Sequence, residues 1–396
     1  MDAFNISELE NLIQLKDKKI IATKMKPLTA PGENYGSLML SLDITVESST
    51  GVEQLNLVAK TLPPNPEMQE MFNCSVTFPN EVAFYKTIIP ALQSLQRERG
   101  VTQVVNFAAK CHGSRLNLHG VNDQVDKDAF LILENLKVRG FVNLDRTKGF
   151  DLVASKLVLK DLAQMHAVGV ALKLQKPNIF ELKIKPYLPP FTLSKDVFDD
   201  LEMKYMKIIN SVPKLRPYLD RLKKVNLHIY PAGPPREPFA TISHNDCWVN
   251  NTMVKVDETG TPIENKLVDF QICDYGSPAK DVLFFLFSSV QSHVLKKYFD
   301  ELINFYYDTF MSVLLELKCD ITEFSREAFD NELTLEARNT QFVHTVLMLF
   351  PIFAPKGTIT DIANTKPSDI GNVEPTDLHK EKLVFVVEEF AKRNWI

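Results

Sequence analysis

The chain has 396 residues, 45% of them hydrophobic and 24% charged, the composition of a globular protein long enough to bury a large core without staples. Its formal net charge of −5 argues against nucleic acid or an anionic membrane surface as the main partner. The longest apolar runs, residues 282–287 and 346–350, fall far short of the roughly 20 residues a membrane helix needs.

The first residues, Met1-Asp2-Ala3-Phe4-Asn5-Ile6-Ser7-Glu8, carry an early acid and no apolar segment, so no signal peptide is expected. Residues 37–47 are apolar and β-branched. The turn cluster Ser48-Ser49-Thr50-Gly51 follows, and residues 54–62 form a second strand ended by Pro63-Pro64, which predicts a hairpin. A helix is expected to begin near Pro79 and to carry Val82, Phe84, Tyr85, Ile88 and Ile89, with Pro90 kinking or ending it. Residues 104–109 and 129–134 read as further strands. From 149 to 170, Leu152, Leu157, Leu159, Leu162 and Met165 recur at helical spacing. Residues 172–240 are Pro-rich and read as an insertion with short helices such as 197–209. An irregular motif at 241–251 leads into two strands, 252–256 and 266–270, joined by Asp257-Glu258-Thr259-Gly260, and the remainder reads as helices rich in Phe and Leu. A β-rich first part (1–135) before a helical second part (136–396) is an α+β pattern, that of a two-lobed, protein-kinase-like fold.

The strongest chemical signal is His244-Asn245-Asp246-Cys247-Trp248-Val249-Asn250-Asn251, of the form HxDxxxxN. Phosphoryl transfer needs a carboxylate to orient the attacking hydroxyl and accept its proton, and oxygen ligands for Mg²⁺. Asp246 fits the first role, and Asn251 can offer an amide oxygen to the metal; a polar turn between helices is the alternative. Asp269 follows the apolar pair Leu267-Val268, about one hairpin further on, where a carboxylate can bind the metal that bridges the ATP phosphates; otherwise it is an acid at a strand end. Lys60 lies inside a predicted strand and needs an anionic partner if buried. The ATP phosphates and Glu81 on the following helix are the candidates. The alternatives are a snorkelling edge-strand lysine and a glutamate placed for its helix dipole. Gly32-Glu33-Asn34-Tyr35-Gly36-Ser37 suits backbone amides approaching phosphates, and a plain turn equally well. Five cysteines (74, 111, 247, 273 and 319) are odd in number and show no metal-like spacing, so free thiols in a reducing cytosol are expected.

In the order Lys60, Glu81, Asp246, Asn251, Asp269, these residues resemble the ecdysteroid-kinase-like family of insects, itself related to choline and aminoglycoside kinases. The matching segments are GENYGSLML, LVAKTLP, FPNEVAFYKTIIP, FLILENLKVRGF, DRTKGFD, LAQMHA, SHNDCWVNNTMVK and VDFQICDYGSPAKDVLFFL, spread over nearly the whole chain. The resemblance implies an intracellular kinase using ATP and Mg²⁺ on a hydroxyl of a small, often steroid-like molecule, with detoxification as another proposed role. It makes Asp246 the base, Asn251 and Asp269 the Mg²⁺ ligands, Lys60 the phosphate contact and Glu81 its orienting partner. It places Asn34, Tyr35, Gly36 and Ser37 over the nucleotide, and Glu134 and Leu136 in a hinge whose backbone meets adenine, with Asn135 where an acid is usual. Asn245 stands where Gly is usual; Asn tolerates a left-handed backbone. Asp281 resembles an acid that braces the catalytic loop, and His166 is read as a packed helix histidine, Trp248 as core. The late apolar segments, with Phe342, Phe350 and Phe353, are expected to wall a pocket for a steroid or xenobiotic alcohol. A choline- or ethanolamine-type kinase and a catalytically silent ligand-binding protein stand as alternatives. Oligomeric state is not legible.

Overall fold

The computed structural model describes residues 6–13, 15, 17–28, 36–118, 124–192, 195–229, 232–355 and 374–396. Helix α1 (Ile6–Ile13) precedes a five-stranded antiparallel sheet of spatial order β1-β2-β3-β5-β4, formed by β1 (Lys18–Pro27), β2 (Leu38–Ser48), β3 (Gly51–Thr61), β4 (Cys111–Arg115) and β5 (Phe130–Glu134). The expected hairpin is β2–β3, in register from Leu38↔Thr61 to Ser48↔Gly51. Because side chains alternate along a strand, the sheet feeds two cores. Phe130 and Ile132 join Leu40, Leu42, Ile44, Leu57 and Ala59 beneath Leu9 and Ile13 of α1. Leu131 and Leu133 face the opposite way, into the main core. Lys60, one residue beyond Ala59, therefore points away from α1.

Between β3 and β4 lie α2 (Pro66–Met71), α3 (Cys74–Ala83), a π-helical turn (Phe84–Ile88) and α4 (Ile89–Glu98). This corrects two expectations. The helix begins at Cys74, with Pro79 inside it, and Pro90 does not end it. The π-turn sends the Ile89 N–H to the Phe84 carbonyl, five residues back, and the helical path continues through Pro90, which stands in the first turn of α4. A third expectation also fails. Residues 104–109 form no strand, because their backbone is satisfied elsewhere. Gln96 accepts from the Val105 N–H at 2.8 Å, Gln93 donates to the Val105 carbonyl at 3.0 Å, and Ala108 makes a single bridge to Leu267.

After the short β6 (Phe141–Val142), α5 (Leu152–Gln175) runs through the middle of the main core, with Asp151 accepting from the Ala154 N–H at its start. Next come α6 (Pro177–Ile179), α7 (Lys195–Ser211) and α8 (Leu219–Leu222), in the Pro-rich stretch. Then β7 (Thr241–Ser243) pairs with β10 (Asp274–Gly276), and β8 (Thr252–Val256) lies between β6 and β9 (Pro262–Leu267). The second strand of this hairpin thus starts earlier than expected and stops at Leu267, leaving Val268 to Phe270 as non-strand backbone. Helices α9 (Pro278–Ser289), α10 (Ser292–Glu316), α11 (Arg326–Glu336), α12 (Phe342–Phe353) and α13 (Asp377–Lys392) complete the main core. The chain is α+β, with its large sheet in the N-terminal region and its helices concentrated in the C-terminal part. Gly169 lets α5 approach β7: a Cβ there would stand 2.5 Å from Thr241 Oγ1. That close contact fixes the strand that leads into the HxD motif.

Candidate active site

The central strand of the large sheet carries Lys60, whose side chain is 3% exposed. Its ammonium lies 2.6 Å from Glu81 Oε2 on α3 and 2.8 Å from Asp269 Oδ1. Burial opposes the Lys60 charge, but the adjoining Asp269 and Glu81 carboxylates outweigh it and hold the pKa above the ordinary lysine value. The lysine is thus neither on an edge nor snorkelling, and Glu81 is not merely a helix-end acid.

Asp269 has φ +67°, a left-handed backbone that turns the chain out of β9. Phe270, next in sequence, goes inward. It stacks on Phe84 of the π-turn at 4.0 Å and 7°, and meets Tyr85 edge-on at 5.5 Å. One aromatic contact therefore joins the helix of Glu81 to the segment of Asp269. Gln271 lies against the end of the glycine-containing loop. A Cβ on Gly36 would come within 2.8 Å of its amide nitrogen, so glycine lets the Gln271 side chain close on the loop without shifting. Ser37 is buried beside it. Asn34 and Tyr35 lie outside the described residues.

The HxD loop leaves β7 and returns through a 3₁₀ turn (Val249–Asn251) into β8. Asn245 adopts φ +65°, the conformation expected of it. The loop is clamped from below: Asp281 of α9 accepts the main-chain N–H of His244 at 2.6 Å and that of Asn245 at 2.7 Å. Behind Asp281 stands His166 of α5, with Nε2 2.9 Å from Asp281 Oδ2 and Nδ1 2.7 Å from the Tyr306 hydroxyl of α10. Burial works against the Asp281 charge, yet hydrogen bonding and charge from His166 and His244 keep its pKa below the ordinary carboxylate value. His166 is packed, as read from the sequence, and is also a polar brace. Tyr306→Phe removes a hydroxyl partner from a fully buried imidazole, and an unsatisfied buried polar atom costs about 1–3 kcal/mol. We expect that loss as a lowered denaturation midpoint in urea; an unchanged midpoint would show the hydroxyl to be idle.

At the tip, Asn251 Nδ2 donates to Asp246 Oδ2 at 2.8 Å and to its main-chain carbonyl at 2.9 Å. The amide oxygen of Asn251 therefore points away from Asp246's acceptors. The Val268 N–H donates to the Asn251 carbonyl at 3.0 Å, and His244 Nε2 lies 3.1 Å from the Val268 carbonyl, tying the loop to the approach of Asp269. Asp246 is half-buried. Burial first, and the nearby Asp269 charge second, push its pKa well above the ordinary aspartate value, while hydrogen bonds from Asn251 and Trp248 pull the other way. Lys60, Glu81, Asp246, Asn251 and Asp269 are thus brought into one region. Glu134 ends β5 opposite Leu57 of β3 and binds Arg139 at 2.9 Å, and Leu136 opens a 3₁₀ turn capped by the Asn135 side chain. Glu134 thus ends the strand next to Lys60's, and Leu136 lies just beyond that end.

A cavity of about 720 Å³ opens beside β10, walled in part by Leu188, Pro190, Ile229, Pro234, Tyr275 and Thr340. Its floor holds the buried ion pair Lys280–Asp274. Asp274 pairs with Ser243, three residues before Asp246, which puts this room next to the HxD loop. The residues of the expected apolar wall do not line this cavity: Phe342, Phe350 and Phe353 are 1–7% exposed, and the cavity meets the preceding π-helical turn (Ala337–Gln341). Sequence reasoning missed Phe270, Gln271, Asp274 and Tyr306. Only Phe270 and Gln271 carried a signal, directly following the metal-binding candidate. All five cysteines are free, as expected, and no cluster of three or more metal-type side chains occurs among the described residues.

The sequence model of the ecdysteroid kinase-like family matches residues 31–319. No curated protein matches the chain by sequence. Solved structures with a similar arrangement include an ethanolamine kinase of Plasmodium vivax (10% identity, 94% of this chain and 84% of that one, TM-score 0.41). They also include a choline kinase of Cryptosporidium parvum (9%, 94% and 91%, 0.43) and an aminoglycoside 2'-phosphotransferase mutant in complex with GDP (13%, 98% and 99%, 0.46).

Proposed function

The chain belongs to the ecdysteroid kinase-like family, and from that premise we propose that it transfers the γ-phosphoryl group of ATP to a hydroxyl of a lipophilic acceptor, an ecdysteroid or a comparable steroid or xenobiotic alcohol. The observation that carries this is Lys60, buried between Glu81 and Asp269 and close to the Asp246–Asn251 loop. Such an ammonium is placed for the nucleotide phosphates. Asp246 is the proposed base: as the acceptor oxygen bonds to phosphorus and the bond to ADP breaks, its proton passes to this carboxylate. The raised basicity of Asp246 suits that task.

Mg²⁺ fits the donors present. Asn251 offers an amide oxygen, since its nitrogen is spent on Asp246, and Asp269 offers the carboxylate oxygen that Lys60 does not hold. Two protein oxygens, completed by phosphates and water, are an ordinary Mg²⁺ environment. When bound, the ion supplies charge neutralisation on the phosphates. In this reading residues 1–135 hold the nucleotide, through Asn34, Tyr35, Gly36 and Ser37 and the backbone of Glu134 and Leu136, and 136–396 hold the acceptor, with 172–240 an insertion. Five free thiols suit a reducing cytosol, and no helix among the described residues is long and apolar enough to cross a membrane. The role would be hormone inactivation or detoxification, since an added phosphate makes such an alcohol water-soluble.

The cavity beside β10 is the proposed acceptor room, and its volume suits a drug-sized ligand. A quaternary ammonium would need an aromatic or anionic cage. Tyr275, the aromatic of the described lining, already has the Lys173 and Lys185 ammoniums 5.7 and 5.2 Å from its ring centre. This disfavours the choline-type reading. The test is acceptor-dependent ATP consumption. Steroid or phenolic alcohols are expected to stimulate it, and choline and aminoglycosides to leave it at background. Robust choline turnover with silence toward every steroid would overturn the acceptor assignment.

A further inference from the structure

Four lysines are buried among the described residues: Lys60, Lys266, Lys280 and Lys382. Three of them meet a carboxylate. Lys60 has Glu81 and Asp269, Lys266 has Glu264 at 3.1 Å, and Lys280 has Asp274. Lys382, on α13, meets none among the described residues. Its ammonium donates a hydrogen bond to the Val290 carbonyl at 2.7 Å and stands 5.4 Å from the centre of the Phe385 ring. An ammonium held out of water without a counter-charge is costly, and burial alone lowers its pKa to about 7.

Lys382 lines a cavity of about 210 Å³ enclosed by the approach to α5, the end of α9, the start of α10 and α13. Arg146 lines the same cavity and likewise has no carboxylate among the described residues; its guanidinium donates to the main-chain carbonyls of Pro351, Ile352 and Ala354. The hydroxyls of Ser288 and Ser289 sit in the wall, 2.9 Å from one another. The helix α10 starts there too, but Tyr298, with φ −120° and ψ 17°, breaks it after residues 292–297, so no long-helix dipole is aimed at the cavity. Lys148 contributes a third cation, and Glu381 is the acid of this wall. The cavity lies away from the catalytic loop, because Ser289 is at the far end of α9 from Asp281, about 12 Å along the axis at 1.5 Å per residue.

We propose that this cavity binds a tetrahedral oxyanion, inorganic phosphate or the phosphate group of a phosphomonoester, with the Lys382 ammonium and the Ser288 and Ser289 hydroxyls as donors. The anion supplies the counter-charge that the other three buried lysines obtain from carboxylates. The site is separate from the nucleotide and is independent of the identity of the acceptor.

The test uses the full chain with its nucleotide site saturated by Mg·ADP, at constant ionic strength. Inorganic phosphate is titrated by calorimetry and by thermal shift against a chloride control, with phenyl phosphate in a parallel titration to separate free phosphate from a phosphomonoester. Wild-type protein is expected to bind at least one of the two saturably and to melt a few degrees higher than in chloride. Lys382→Met should weaken that binding at least tenfold, and removing an unpaired buried charge leaves folding intact. A second variant, Ser288→Ala with Ser289→Ala, keeps the charge and should weaken binding several-fold. Wild-type protein responding to phosphate and phenyl phosphate no more than to chloride, or unchanged affinity in both variants, overturns the proposal.

Discussion

Asp246→Asn is expected to lower kcat by about 10²–10⁴-fold, the usual worth of a positioned base, while Mg·ATP affinity stays within a few-fold. The substitution keeps the shape of the side chain and removes its capacity to take a proton. The loop should survive, because its conformation is fixed from outside the carboxylate. Asp281 holds the amides of His244 and Asn245, and the Val268 N–H holds the Asn251 carbonyl. Lys60 and Asp269, the proposed phosphate contact and metal ligand, are untouched. Steady-state kinetics and calorimetric titration of Mg·ATP check both halves of the expectation. Normal turnover by the purified variant would remove Asp246 from the role of base, and lost nucleotide binding would make it a binding residue instead.

The second large effect is expected of Asp269→Ala: turnover lower by orders of magnitude and a higher Mg²⁺ concentration for half-maximal rate. Of the residues around Lys60, Asp269 is the better one to remove. Its side chain is 22% exposed, whereas that of Glu81 is 1% exposed, and Lys60 keeps Glu81 as a partner when Asp269 is gone. Lys60→Met is a poorer probe than the sequence alone implies, where little loss of folding would be expected. It would strand the buried Glu81, and breaking a buried pair costs about 3–5 kcal/mol. An Asp269→Ala protein with an unchanged Mg²⁺ titration would take Asp269 out of the metal site.

What could be read from the sequence was read where local chemistry and tertiary structure agree. The hairpin β2–β3 announced itself because its alternation matches its burial and its turn residues suit a turn. Asn245 was legible because few other residues tolerate its backbone. The first strand was not legible: Lys18, Lys19, Lys24 and Lys26 break any apolar pattern, as befits an edge strand that must not pair with strangers. Nor was Cys111–Arg115, which has no strongly apolar run and takes its place from β5. Residues 104–109 misled for the opposite reason, being apolar for the sake of the core and not of a sheet. Phe342, Phe350 and Phe353 did not mark the cavity beside β10, because Phe-rich helices serve the interior, while that cavity is bounded largely by prolines, polar turns and ion pairs. No periodicity marks such a wall.

The stack of Phe84 on Phe270 has a consequence for how the enzyme is governed. Swinging the Glu81 helix outward would mean peeling apart two rings at 4.0 Å and parting Glu81 from a lysine it holds at 2.6 Å. Lys60, Glu81 and Asp269 thus stand already in contact. If they act as proposed, such a catalyst would behave as a standing sink, whose throughput follows its amount and the supply of its acceptor.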